Sequence, residues 1–343
     1  MSLTATNLNL QTRNDNYHIG LFGYALMVIE GLKIIKAPYQ NLLELSLLGK
    51  FNLQNPNRYI PIFTIYDFLR VTSKYFESKD TPPSFFENMR LCNLGTTGKF
   101  MFSSSKLLPA LQNLVKYDKY LCTNQSTELL IDGSSTSIKN SFSDATSKGG
   151  PIMEYVWLCM LKNLLTNVNN NIWDPIEVHF MSEESLFSKH YLNKDTSVKY
   201  NQEQTAIVFN SPLLTNKILN SNNCIDDYAT NKSLLQRPAV ELSRKIEHFL
   251  DNNLSGYLPT LQVMSDFYGV SQATFKRHLG YENTNYKDIT SRWRLSTSVS
   301  LLANTNNSIT EISDKLHYSN PGNFIRAFRN WTGQTPMAFK GSS

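Results

Sequence analysis

Two pairs of basic side chains near the carboxyl end, Lys276 with Arg277 and Arg326 with Arg329, fall where short helices would hold them outward. In the second stretch Phe324, Ala327, Phe328 and Trp331 recur at helical spacing and form an apolar face, which leaves Arg326 and Arg329 on the opposite side. Guanidiniums on a helix braced by a partner helix suit DNA phosphates and the O6 and N7 edge of guanine in a major groove. An ordinary helical hairpin with a solvated arginine face would carry the same local pattern.

The elements that must position these residues are readable around them. Ser308 and Glu311 form an S-x-x-E capping box ahead of a short helix. A tight turn at His317 to Ser319 follows. A second helix opens with Asn320 as N-cap and Pro321 at the first helical position, where a missing amide proton costs nothing, and Gly333 and Pro336 end it. The same grammar occurs upstream in residues 261–279. Met264-Ser265 matches Ile312-Ser313, Phe275 matches Phe324 at a distance of 49 residues, Arg277 matches Arg326, and Leu279 matches Phe328. A duplicated helix-turn-helix is much harder to dismiss as a chance hairpin than a single one.

At 343 residues the chain can bury two separate cores. The net charge is +5, and residues 237–343 hold 12 Lys plus Arg against 8 Asp plus Glu, so most of the excess lies with the duplicated units. A phosphate-binding surface needs that placement. Cys92, Cys122, Cys159 and Cys224 are far apart, with no C-x-x-C pair and no zinc-finger histidines, and read as free thiols without a metal. Residues 1–20 lack a basic-then-apolar leader pattern, and the apolar run at 21–29 is too short to span a bilayer, so a buried helix in a cytoplasmic chain is expected.

Before the duplicated units the pattern is mixed. Residues 66–76, 106–121, 151–168 and 183–191 read as helices, the second of them begun by the serines at 103–105 as a capping region. Residues 128–131, 137–142, 176–181 and 205–209 read as strands, the first two around an Asp132-Gly133 turn. This predicts a mixed α+β domain, with a boundary near residue 235 in the Asn- and Ser-rich stretch 216–237.

The paired units, joined by a helix around residues 286–302 with its Arg294-Leu295, resemble the DNA-binding domain of AraC/XylS-type transcriptional regulators. The ending Phe324-x-Arg-Ala-Phe-Arg-x-Trp-Thr-Gly-x-Thr-Pro336 is the most specific part. It is similar to the subgroup whose amino-terminal half is an arabinose-binding-type effector domain. Leu94-Gly95, Ser103 to Ser105, Ala110-Leu111 and Ile207-Val208-Phe209 before Leu213-Leu214 carry that looser likeness.

The resemblance implies a tail at 1–19, an effector-binding and dimerisation domain at 20–215, a linker at 216–236 and an all-α DNA-binding domain at 237–343. It implies that Ala273, Lys276 and Arg277 in the first unit, and Gly322, Asn323 and Arg326 in the second, face base edges. Phosphates are expected at Ser271, Thr274, Asn320 and Arg329, with helix capping alone as the other role for Ser271. A rigid connector would set the two recognition helices one DNA turn (~34 Å) apart on one face of the duplex, so a direct, non-palindromic site is expected. His317 departs from the family pattern, which has Gly there as the first unit has Gly269, and a strained or shifted turn is expected in the second unit.

The implied partners are double-stranded DNA, a small-molecule effector, a second copy in a homodimer and, for an activator, RNA polymerase. No cofactor and no membrane are implied. A regulator without an effector, controlled by abundance or by a protein partner, fits the same residues. An enzyme fits least: His179, Glu183, Glu184 and His190 lack the i, i+4 pairing of a helical metal site, and no Walker loop, G-x-S-x-G elbow or G-x-G-x-x-G is present.

Overall fold

The computed structural model of the chain describes residues 17–51, 55–78, 89, 94–143, 150–168, 175–184, 196–219, 235, 238–253 and 257–342. The chain forms two compact units, one of residues 17–238 and one that contains residues 239–343. Much of the expected linker, residues 1–16 of the expected tail, Cys92, Cys224, His190 and most of the helix expected at 183–191 lie outside the described residues, whereas Tyr17 and Ile19 of that tail are buried in the first unit.

In the first unit a short ladder, β1 (Ile19–Leu21) against β2 (Tyr59–Pro61), precedes a five-stranded sheet. That sheet has the order β3-β4-β7-β5-β6, from β3 (Gln125–Asp132), β4 (Ser135–Phe142), β5 (Glu177–His179), β6 (Ser197–Lys199) and β7 (Thr205–Asn210). Every neighbouring pair is antiparallel except β5 with β6. Gly133, at φ +55°, supplies the left-handed corner of the tight β3–β4 turn, a conformation that a side chain would oppose.

Among the described residues this unit also holds helices α1 (Gly23–Ile34), α2 (Tyr39–Glu44), α3 (Ile62–Glu77), α4 (Gly95–Met101), α5 (Leu107–Tyr117) and α6 (Gly150–Thr166). The α6 helix is buried almost all round, with Met153, Val156, Trp157, Met160 and Leu161 in the core, as an apolar helix without a polar face must be. The apolar run at 21–29 divides between the end of β1 and the buried start of α1.

Three expectations are corrected. The serines at 103–105 do not cap α5. Its N-cap is Lys106, with no side-chain cap, and the Ser103 hydroxyl instead donates to the Phe100 carbonyl at the end of α4, 2.9 Å away. The helix expected to run to 121 stops at Tyr117 and passes into a 3-10 turn, Asp118–Tyr120. The strand expected at 176–181 is limited to Glu177–His179: the Phe180 amide still donates to the Lys199 carbonyl at 2.8 Å, but the Met181 and Ser182 amides turn to a buried carboxylate.

That carboxylate is Glu154 of α6, only 2% exposed. It accepts from the Met181 amide at 2.5 Å, the Ser182 amide at 3.2 Å, the Ser182 hydroxyl at 2.7 Å and the Thr205 hydroxyl at 2.5 Å. A buried charge is tolerable only when it is hydrogen-bonded on this scale, and here it ties the central helix to the ends of β5 and β7. Glu154→Ala is expected to lower the stability of this unit by about 2–4 kcal/mol, since four donors lose their acceptor. Denaturant unfolding followed by the fluorescence of buried Trp157 measures it.

Candidate nucleic-acid interface

The second unit is all-α among the described residues: α7 (Leu242–Asn253), α8 (Leu261–Phe267), α9 (Gln272–Tyr281), α10 (Tyr286–Asn304), α11 (Ile309–Lys315), α12 (Pro321–Thr332) and α13 (Pro336–Ser342). Helices α8 with α9, and α11 with α12, are the two helix-turn-helix units, and α10 connects them.

Each unit opens on a capped helix. The Thr260 hydroxyl accepts from the Val263 amide at 3.3 Å ahead of α8. At α11 the expected capping box is complete: Ser308 Oγ accepts from the Glu311 amide at 3.2 Å, and the Ser308 amide donates to Glu311 Oε2 at 2.7 Å. Those bonds from Ser308 hold the Glu311 carboxyl below the usual range.

The two turns share one backbone geometry. Gly269, at φ +67°, donates to the Asp266 carbonyl at 3.0 Å, and Val270 donates to the Ser265 carbonyl at 3.1 Å. His317, at φ +55°, donates to the Asp314 carbonyl at 3.0 Å, and Tyr318 donates to the Ser313 carbonyl at 3.1 Å. The second turn is therefore not shifted. Histidine accepts the left-handed conformation that glycine takes in the first unit, and its ring lies near-parallel to Trp293 of α10, with centroids 6.4 Å apart and a 13° interplanar angle.

Beyond the turns the units differ by one residue. Gly269 and His317 are 48 positions apart, whereas the N-caps Ser271 and Asn320 are 49 apart, so Ser319 is the additional residue.

The second helices bury equivalent anchors: Phe275 and Leu279 in α9, and Phe324 and Phe328 in α12, all 0% exposed. Trp331 and Ala327, expected on the same apolar face, are only half-buried, because the core contact is made by the two phenylalanines together with Tyr318 and Phe339. Ala273, Lys276 and Arg277 are exposed on α9; Gly322, Arg326 and Arg329 are exposed on α12, with Asn323 half-buried.

Ser271 accepts from the Thr274 amide at 3.2 Å and donates to the Thr274 hydroxyl at 3.0 Å, so it caps α9 in this state. Asn320 caps α12 by accepting from the Asn323 amide at 2.9 Å, and Gly333, at φ +80°, closes that helix through the Arg329 carbonyl.

Arg326 is held in place before any ligand arrives. Its Nη2 donates to Asn323 Oδ1 at 2.5 Å, and Asn323 Nδ2 donates to the Ser319 hydroxyl at 2.8 Å. Asn323, expected to meet bases, thus lies between the Ser319 hydroxyl and the Arg326 guanidinium, half-buried at the start of α12. Among the described residues Arg277 shows no comparable side-chain hydrogen bond. Beside it, burial and the Arg277 charge push the His278 imidazole below its usual pKa.

Sequence reasoning missed the residues that carry the two units. Glu282, just past α9, caps α7 by accepting from the Leu242 and Ser243 amides at 2.7 and 2.9 Å. Trp293 of α10 donates through Nε1 to Asp251 of α7 at 2.9 Å. Arg294 donates to the Leu316 and His317 carbonyls at the second turn. Nothing in local spacing marks these contacts, which bring together residues 22 to 42 positions apart.

Of the residues weighed for an enzyme, His179, Glu183 and Glu184 are described and His190 is not. His179 pairs with Glu177, which also binds Lys199 at 2.8 Å. Among the described residues no group of three or more His, Cys, Asp or Glu could hold a metal ion.

Residues 264–342 match the family model described as a helix-turn-helix domain. The HTH-type transcriptional regulator VqsM of Pseudomonas aeruginosa is 34% identical over 110 residues, which cover 32% of this chain and 34% of that protein. The HTH-type transcriptional activator CfaD of Escherichia coli is 33% identical over 97 residues, 28% of this chain and 36% of that protein. A solved structure of the transcriptional regulator CdpR from Pseudomonas aeruginosa aligns over 93% of this chain and 98% of its own, at 15% identity and a TM-score of 0.40. The chain thus spans about a third of the length of these two curated relatives. Its carboxyl-terminal domain is a helix-turn-helix domain of the AraC type.

If His317 is in the left-handed region by virtue of its turn, His317→Gly should leave stability within about 1 kcal/mol of wild type, because the relieved strain offsets the lost ring contact. His317→Val should cost about 2 kcal/mol or more, since a β-branched side chain tolerates that conformation worst. Thermal unfolding of the two variants side by side checks the difference in sign and size.

Proposed function

We propose that this chain is a sequence-specific, double-stranded-DNA-binding transcriptional regulator in which both helix-turn-helix units of one subunit read DNA. The observation that carries the reading is the repeated turn geometry followed, in each unit, by a helix with two buried apolar anchors and an exposed basic face. Two such helices tied to one connector suit two successive major grooves and a direct, non-palindromic site.

In the first unit Lys276 and Arg277 supply the long polar contacts, and Ala273 offers a methyl group only. In the second, Arg326 reads base edges, Gly322 admits close approach, and Asn323 aims the arginine. Arg329, Thr274 and the caps Ser271 and Asn320 face phosphates. Activation through RNA polymerase is part of this reading, in keeping with relatives named as activators. So is a homodimer through the 20–215 effector domain, followed by the linker 216–236 and the DNA-binding domain 237–343, in the cytoplasm and on the nucleoid.

A small polar effector is the finer part of the proposal. A cavity of about 380 Å³ in the first unit is lined by Lys139, His179, Asn201, Gln202, Glu203 and Gln204, groups that offer both donors and acceptors to a compact metabolite. Thermal shift of the full chain across amino acids and other small metabolites tests this, with loss of the shift in a Lys139→Ala variant as the expected control. A flat response to every compound favours a regulator controlled by its abundance or by a protein partner.

For the DNA reading, Arg326→Ala should relax preference at one base pair by about 1–3 kcal/mol. Arg329→Ala should instead weaken all sequences alike and reduce the slope of log affinity against log salt by about 1. Binding measured across a set of single-base-pair variants at two salt concentrations separates the two outcomes. An Arg326→Ala protein with unaltered affinity and site preference overturns the docking.

A further inference from the structure

We propose that Arg294 is a positioning residue that sets the separation and phase at which the second recognition helix meets DNA relative to the first. This rests on the two-unit reading above.

The connector α10 is fastened to the first half of the domain at its amino-terminal end. The Tyr286 hydroxyl donates to the Pro259 carbonyl at 2.7 Å, and Ile289 is fully buried. Arg292 reaches the Thr284 hydroxyl at 3.3 Å and Glu247 at 3.4 Å, and Trp293 holds Asp251 of α7. One residue on, a helix has rotated by roughly 100°, and Arg294 points elsewhere.

It reaches the corner of the second unit. Arg294 Nε donates to the Leu316 carbonyl at 3.0 Å, and Nη2 donates to the His317 carbonyl at 3.1 Å. Its Cζ lies over the Tyr318 ring, 4.3 Å from the centroid, and that ring in turn meets the Phe324 ring at 5.8 Å between centroids. Phe324 is the buried anchor of α12. The carbonyls concerned close α11, where the helix dipole is negative and a cation is favoured. A planar fork can bond two carbonyls and stack on a ring at once, whereas an ammonium cannot.

The packing within the α11–α12 pair uses other residues. Ile312, Leu316, Phe324 and Phe328 are buried, and Lys340 of α13 binds the Thr305 and Asn307 carbonyls at 3.3 Å each. Removal of the guanidinium therefore leaves a folded second unit that is held less firmly to the connector. The expected loss is of geometry and not of the unit: DNA contacts survive, but the fixed distance between them does not.

The experiment uses the full chain and a duplex selected by it from a random library, then re-made with the two half-sites moved apart or together by one and two base pairs. Each added base pair displaces one half-site by about 3.4 Å and about a tenth of a turn. Wild type is expected to lose about tenfold or more in affinity at the first shift, because a rigid link engages both sites only at the matching span. Arg294→Met, which keeps the stem, is expected to bind the original duplex several-fold more weakly while its affinity varies less than about threefold across the spacings.

A merely structural role would lower every spacing in proportion and leave the profile as steep as in wild type, and that result overturns the proposal. Should Arg294→Met lose its helical circular dichroism, Arg294→Lys carries the same test, with the same flattened profile expected. If footprinting of wild type protects only one groove per subunit, the two-unit reading fails and this proposal with it. A two-groove wild-type footprint with an unflattened variant profile sinks only the role of Arg294.

Discussion

Removal of two aromatic rings from water, Phe275 in α9 and Phe324 in α12, is the constraint on which the DNA-binding half depends. Each ring lies one turn into its helix and is fully buried, so the helix has no rotational freedom left about its axis. Burial of a phenylalanine side chain is worth about 1.5–3 kcal/mol, enough that a rotation which exposed it would be rare. With the ring inward, Arg277 and Arg326, two residues later, must lie outward. The basic surface follows from the hydrophobic one.

That link explains what was legible before any coordinates. Caps, helix-ending glycines and an apolar spacing of three and four are local signals, and the Ser308–Glu311 box, the Asn320 cap, Pro321 and Gly333 all occur where such signals place them. The exposed set on both second helices was equally legible, because it is the complement of the buried set. What was not legible involves pairs of side chains far apart in sequence. For Arg294 on the second turn, Glu282 on the start of α7 and Glu154 on the end of β5, the sequence carries no sign of the partner, even where, as at Arg294, the residue belongs to a recognisable pattern. Only the tertiary fold shows that each caps backbone groups of another element. The short end of β5 is the clearest case: residues 176–181 alternate as a strand should, but after Phe180 the amides of Met181 and Ser182 go to Glu154 and not to a neighbouring strand.

His317 shows how a local departure can be absorbed. A non-glycine residue at a left-handed corner carries a cost of roughly 1–2 kcal/mol. Around it the structure supplies a near-parallel Trp293 ring, an arginine on its carbonyl and the same two backbone bonds that the glycine turn makes. The left-handed corner keeps its shape, and at that position the difference from the first unit is a side chain that stacks against the connector helix.

Ser319, the residue by which the second turn exceeds the first, makes the two halves of the duplication non-interchangeable. A graft that exchanged α9 for α12 at the left-handed corner and ignored the extra position would enter the helix one residue out of register. It would turn the apolar stripe by about a quarter of a revolution and bring a guanidinium toward the core. The orienting chain from Ser319 through Asn323 to Arg326 would be cut at the same stroke. Any attempt to recombine the recognition surfaces of this domain therefore has to move turn and helix together as one cassette.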